Sequence, residues 1–182
     1  MSAAGSTEEG FVIGTAAPEP TSGAERVRVV HLPTQISGLD IVVPYALVAE
    51  ISEVMLPEGG SQLGRQDAAE VVWRGQRIVL VSLEAMFQGT VPTIGQRVRC
   101  AVLYGTNPDM ALPYYAVLLS GVPRSEEWTA DRLQQETRVE GELWQLTAQV
   151  DDRRVAVPDI RQLESRVDEM RLRLQREVPN LA

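Results

Sequence analysis

The sequence predicts a mainly β fold: two small barrels packed against each other, with short helices and a C-terminal amphipathic helix. Three observations lead there. Short apolar runs rich in β-branched residues recur along the chain, punctuated by Gly, Pro, Asn and Asp. The densest of them, Val71 to Trp73 and Ile78 to Val81, flank Arg74-Gly75-Gln76. That is a hairpin pattern, in which Gly75 can take the positive φ of a tight turn at little cost. Finally, Ile78 to Val81 is apolar at every position, so both faces of that strand are expected to be covered, as in the wall of a packed barrel.

Residues 1–24 are rich in Gly, Ala, Ser, Thr and Glu, and only Phe11-Val12-Ile13 breaks their polarity. This composition predicts a disordered tail. Order is expected from Glu25. Arg26 to Leu32 and Leu39 to Val43 predict two strands joined by a Pro33–Gly38 loop. Tyr45 to Ala49 fits a helical turn or a strand, and Val48 to Leu56 a strand. Pro57 to Asp67 is polar and Gly-containing, which predicts a mobile loop.

After the central hairpin, Ser82 to Gln88 reads as a short helical turn closed by Gly89. Arg97 to Tyr104 alternates, and Leu112 to Leu119 is a long apolar strand ended by Gly121-Val122-Pro123. Thr129 is placed to cap a short helix reaching Glu136. Glu142 to Val150 and Arg153 to Val157 form a hairpin about Asp151-Asp152. The connections Pro57–Asp67 and Val91–Gly95 are expected to divide the strands into the two barrels.

Pro158-Asp159 opens the last element. Ile160, Leu163, Val167, Met170 and Leu174 recur at steps of three and four, one apolar stripe of a helix that Asp159 can cap. Arg161, Glu164, Arg166, Asp168 and Arg171 make up its polar face.

The chain has 182 residues, a net charge of −8 and no lysine. An acidic chain of this kind is a poor nucleic-acid binder. Absence of lysine excludes Schiff-base chemistry and a lysine-bearing phosphate loop. No run of 18 apolar residues and no secretory leader is visible, so no direct membrane insertion is expected. Cys100 is the only cysteine, which excludes an intrachain disulfide and fits a reducing cytoplasm. One histidine, His31, and one cysteine make a poor zinc site; His31 is expected to be structural or solvent-facing. No nucleophile-elbow sequence is present. Glu50 and Glu53, three apart on a strand, face opposite sides, which is wrong for an acid/base pair. No catalytic residue, metal, cofactor or small-molecule substrate is therefore predicted.

Leu39-Asp40-Ile41, then Val48-Ala49-Glu50-Ile51, then Arg74-Gly75 followed by apolar residues and Leu83, resembles the CheW-like family, the coupling proteins of bacterial chemosensory arrays. The resemblance covers roughly Glu25 to Val167, with residues 168–182 as the end of the last helix and a tail. It departs at Ala69, Val79 and Ser82, where the family commonly has Gly, Pro and Asp. Those departures resemble the divergent ChpC-like branch attached to systems that control type IV pili and twitching. The resemblance implies two SH3-like five-stranded barrels and a non-enzymatic cytoplasmic adaptor, at membrane-associated arrays, that bridges a chemoreceptor cytoplasmic tip and the regulatory domain of a CheA-type histidine kinase. It also implies structural or partner-contact roles for Arg74, Gly75, Val48 and Glu50. Trp73, beside Arg74, has the composition that interface anchors favour. The rival expectations are an array scaffold that touches no kinase, and a small hydrolase.

Overall fold

The computed structural model describes residues 26–57, 67–90, 92–129, 136–137 and 144–177. Along the chain run β1 (Arg26–Leu32), β2 (Asp40–Pro44), a 3-10 turn (Tyr45–Leu47), β3 (Val48–Met55), β4 (Ala68–Trp73), β5 (Gln76–Val81) and α1 (Leu83–Gln88). They are followed by β6 (Arg97–Tyr104), β7 (Tyr114–Leu119), β8 (Arg124–Thr129), β9 (Glu136–Thr137), β10 (Trp144–Val150), β11 (Arg153–Pro158) and α2 (Ile160–Glu177). The strands form two curled sheets. One has the order β8-β1-β2-β11-β10-β9, five full strands and the two-residue β9; the other has the order β3-β6-β7-β5-β4. Two SH3-like barrels are the result.

The chain is divided between them differently from the sequence expectation. The middle of the chain, β3 to β7, builds the second barrel, and both flanks build the first. The crossings are therefore the 3-10 turn before β3 and the Ser120–Pro123 stretch after β7, not Pro57–Asp67 and Val91–Gly95. The physical reason is the ladder: β6 pairs with β3 and with β7, which bridges the proposed boundary at Val91–Gly95. Thr129 ends β8, opposite Arg26. The rest of the expected helix, 130–135, lies outside the described residues, as do 1–25 and 58–66.

Strand alternation sorts the buried residues into three clusters. Val54, Val71, Trp73, Ile78, Leu80, Cys100 and Leu118 are among those filling the second barrel. Val29, Val42, Trp128, Val150 and Val155 fill the first. Between the barrels lies the largest cluster, with Val30, Ile41 and Val43 from one sheet and Val79, Val81, Leu103, Tyr115 and Val117 from the other. Strand β5 shows why its run is apolar throughout: Ile78 and Leu80 point into the barrel, Val79 and Val81 into the interface.

Both helices serve that interface. Ser82 caps α1, its Oγ accepting from the Ala85 amide at 3.2 Å, and Gly89 closes it at φ 64°. Phe87 of α1 stacks on Trp144 of β10, centroids 3.8 Å apart. In α2 the Asp159 carboxylate accepts from the Gln162 amide at 3.1 Å. Leu163, Val167, Met170 and Leu174 all enter the central cluster, so the packed body extends past residue 167.

Glu164 is a correction to the expected polar face. It is 1% exposed, and accepts from the Thr106 amide at 2.7 Å and the Asn107 amide at 3.2 Å. Glu84 of α1, 2% exposed, does likewise for the Gln35 amide at 2.7 Å and the Ser82 hydroxyl at 2.9 Å. Each buried carboxylate ties a helix to a distant loop by satisfying donors that burial would otherwise strand.

Candidate partner-binding site

Trp73 and Gln76 are the last pair of the β4–β5 ladder, leaving a two-residue loop of Arg74 (φ 47°) and Gly75 (φ 75°). Two positive φ values in succession match the right-handed twist of the flanking strands. Gly75 takes its value freely, while Arg74 holds a conformation that side chains disfavour. The turn therefore fixes where the Arg74 side chain leaves the barrel.

That side chain, 69% exposed, places Nη2 2.8 Å from Oε2 of Glu50. Oε2 also accepts from Nε1 of Trp73 at 3.2 Å, and the Arg74 guanidinium lies 5.2 Å from the Trp73 ring centroid. Glu50 reaches this point because a register irregularity separates Val48 from Glu50 in the β3–β6 ladder. Strands β3 and β4 are the two ends of the second sheet. The carboxylate thus clasps the barrel where no ladder closes it.

Below the clasp, Trp73 packs on Tyr114 with centroids 5.0 Å apart, and Tyr114 on Tyr104 at 5.6 Å. Tyr104 and Tyr114 are cross-strand partners on β6 and β7. Around it, Val72 and Tyr104 are exposed. Burial first, and then the negative charge of Glu50, push the Cys100 thiol up to about 11, so at neutral pH it is a buried, unreactive core group.

Of the five residues singled out in the sequence, Arg74, Gly75 and Glu50 share one surface. Trp73 does not present itself there: at 6% exposed its ring lies beneath Arg74, and only its N–H reaches the clasp. Val48 is half-buried against the central cluster. Glu70, the carboxylate nearest Arg74 in sequence, is paired with Arg77 across the ladder at 3.0 Å. Tyr104 and Tyr114 escaped sequence reasoning; a tyrosine at the end of β6 and one at the start of β7 are the only signal, and nothing local says that the ends align.

His31 lies elsewhere, in the first barrel. It is 5% exposed, with Nε2 3.0 Å from Glu126 and Nδ1 3.7 Å from Asp40. Arg153 reaches both carboxylates, at 3.5 Å and 3.4 Å. Its burial makes it structural, not solvent-facing. Among the described residues no three of His, Cys, Asp and Glu are grouped to hold a metal ion, and no helix is long and apolar enough to cross a membrane.

No family model matches the sequence, and no curated protein matches it. A solved structure does. The scaffolding protein TtCheW from Thermoanaerobacter tengcongensis superposes with a TM-score of 0.53, over 78% of this chain and 89% of that one, at 11% identity. The fold is CheW-like. At that identity the likeness is one of architecture. Within the CheW-like fold, Glu50 and Arg74-Gly75, separated by a strand and a loop in sequence, meet at one end of the second barrel.

Proposed function

We propose that this chain is a non-enzymatic adaptor of a bacterial chemosensory system. It joins a chemoreceptor cytoplasmic tip to the regulatory domain of a histidine kinase in the cytoplasm, and the Arg74–Glu50 end of the second barrel is a contact surface. The observation that carries the proposal is the clasp itself. Two of the three charged positions on which the family resemblance rests, Glu50 and Arg74, form one exposed ion pair, on a turn whose backbone fixes the arginine, beside exposed Val72 and Tyr104. A partner covering this end would remove Val72 and Tyr104 from water and find the forked donors of Arg74 already oriented. Likeness of fold to a scaffolding protein supports the same class.

The departures from the family pattern fall on folding positions in this chain. Ala69 and Val79 are buried, and Ser82 caps α1. Coupling is therefore expected to survive them, and assignment to the branch that controls type IV pili rests on the sequence resemblance alone. The test is a pull-down of the chain with a receptor tip and a kinase regulatory domain from one chemosensory system. Capture of both, weakened at least tenfold by Arg74→Glu, is expected. Capture of the receptor alone makes the chain an array scaffold, and capture of neither removes the proposal.

A further inference from the structure

The solvent face of α2 carries an unusual balance of charge. Arg161, Arg166, Arg173 and Arg176 are all exposed, and Glu169 is the single carboxylate among the described exposed residues of the helix. Three net positive charges thus lie along one face of a chain whose net charge is −8. At about 100° per residue the four arginines fall within roughly 140° of the helix circumference, and at about 1.5 Å per residue they span about 22 Å of its length.

These arginines differ from most of the others. Eight described arginines, Arg171 of α2 among them, are ion-paired with carboxylates. None of the four has an ion pair among the described residues. Leu172 is 39% exposed on the same face, an apolar contact set in the basic stripe. The stripe shares no residue with the Arg74–Glu50 clasp.

We propose that the outer face of α2 is a docking surface for an acidic helix of a protein partner. Charge complementarity gives the sign of the partner. The width of the stripe gives its shape. Charges interact over about 8 Å at physiological salt. A membrane or a nucleic acid meets the molecule over a wide area and feels the net charge of −8. A single helix laid along α2 meets the four arginines with Glu169 among them, a local surplus of positive charge. The four arginines share one face of α2, so a helix alongside offers glutamates at the same rise, as flanking charges do between packed helices. The apolar stripe of α2 is already buried in the protein, so α2 has no face left with which to enter lipid.

The experiment uses a fluorescein-labelled 18-residue peptide of Glu-Ala-Ala-Ala repeats, titrated with the full chain and read by anisotropy. Binding is expected, weakened at least tenfold in the Arg161→Ala, Arg166→Ala, Arg173→Ala, Arg176→Ala variant, with a smaller dependence on salt. Replacement of Arg154, an exposed arginine of the first barrel with no ion pair among the described residues, by Ala (Arg154→Ala) should change affinity less than twofold. An equally charged Glu-Gly peptide should bind at least threefold more weakly, since it offers no helix. A melting curve of the fourfold variant close to that of the parent keeps folding out of the result. The proposal is overturned if the peptide does not bind, or if the fourfold variant binds it equally. It is also overturned if phosphatidylglycerol vesicles or duplex DNA capture the chain through the same arginines. A tenfold gain in peptide affinity on Glu8→Gln, Glu9→Gln, Glu19→Gln would assign the surface to the chain's own acidic N-terminal segment, and overturn the partner as well. Loss of peptide binding with receptor and kinase capture intact separates this surface from the clasp.

Discussion

Arg74 holds its left-handed conformation while its side chain is mostly in water, so backbone and charge can be tested apart. Its ion pair with Glu50 is too exposed to stabilise the fold by more than about 1 kcal/mol. Arg74→Glu is expected to lower the unfolding free energy, read from denaturation curves, by no more than that. Gly75→Val should cost about 1 kcal/mol or more. A Cβ at Gly75 meets nothing within 4 Å, so the cost is that of φ 75° alone. Equal losses in the two variants would show that the turn is not held as described. Cys100 supplies a test against pH. Its folded value of about 11 lies above the ordinary value of 9.0, so the folded state keeps a proton that the unfolded state releases. The stability from this group is whole below pH 9 and is lost as pH rises to about 11. Tyr115, pushed up by burial and then by Glu164, adds a loss of the same sign starting near its ordinary value of 10. Denaturation at a series of pH values should show the decline, and Cys100→Ala should flatten its part between pH 9 and 11.

Among the elements, those that advertise themselves locally were legible in the sequence. The β4–β5 turn, α1 between Ser82 and Gly89, the Asp151-Asp152 reversal and the stripe of α2 all follow from neighbouring residues. Strand β8 was not legible. It reads Arg-Ser-Glu-Glu-Trp-Thr, buries only Trp128 and edges its sheet beside β1, so its pattern shows no alternation until its partner is known. Nor was the burial of Glu84 and Glu164, since a carboxylate on a helix declares nothing about the loop that will meet it. Likewise Arg74 was legible as a turn residue, but its pairing with Glu50 depends on the curl of a whole sheet. The role of Glu164 gives a prediction. Glu164→Ala would leave two amides and the Thr106 hydroxyl without their acceptor, a loss of about 3 kcal/mol or more. Glu164→Gln keeps one acceptor oxygen and should lose clearly less. Urea midpoints for the two variants check this, and equal losses would show that the carboxylate is not what holds the loop.

At the scale of the molecule, the largest buried cluster belongs to neither barrel. Leu163, 1% exposed, is packed there with side chains from both sheets. Each sheet turns its second face to this cluster, so neither barrel can unfold without uncovering the other. Leu163→Ala is expected to cost about 2–5 kcal/mol, and to lower the stability of both barrels together. Trp128 lies in the first barrel and Trp73 in the second, so variants keeping one tryptophan each report on them separately. Coincident transitions, shifted equally by Leu163→Ala, are the expected result. Two separated transitions would make the barrels independent units.

The clasp of the second barrel also has a mechanical meaning. A cylinder hydrogen-bonded around all but one line of its circumference is stiff everywhere except across that line, and its breathing is concentrated there. Cys100 is the cross-strand partner of Ser52, on β6 next to the loose edge of β3, with its thiol in the interior that the breathing would wet. The thiol is a built-in gauge of that motion: the rate at which a small alkylating reagent reaches it counts the openings of the barrel. A partner that grips Glu50 and Arg74 together would act as a hoop, and would be registered from outside as a slowing of chemistry within.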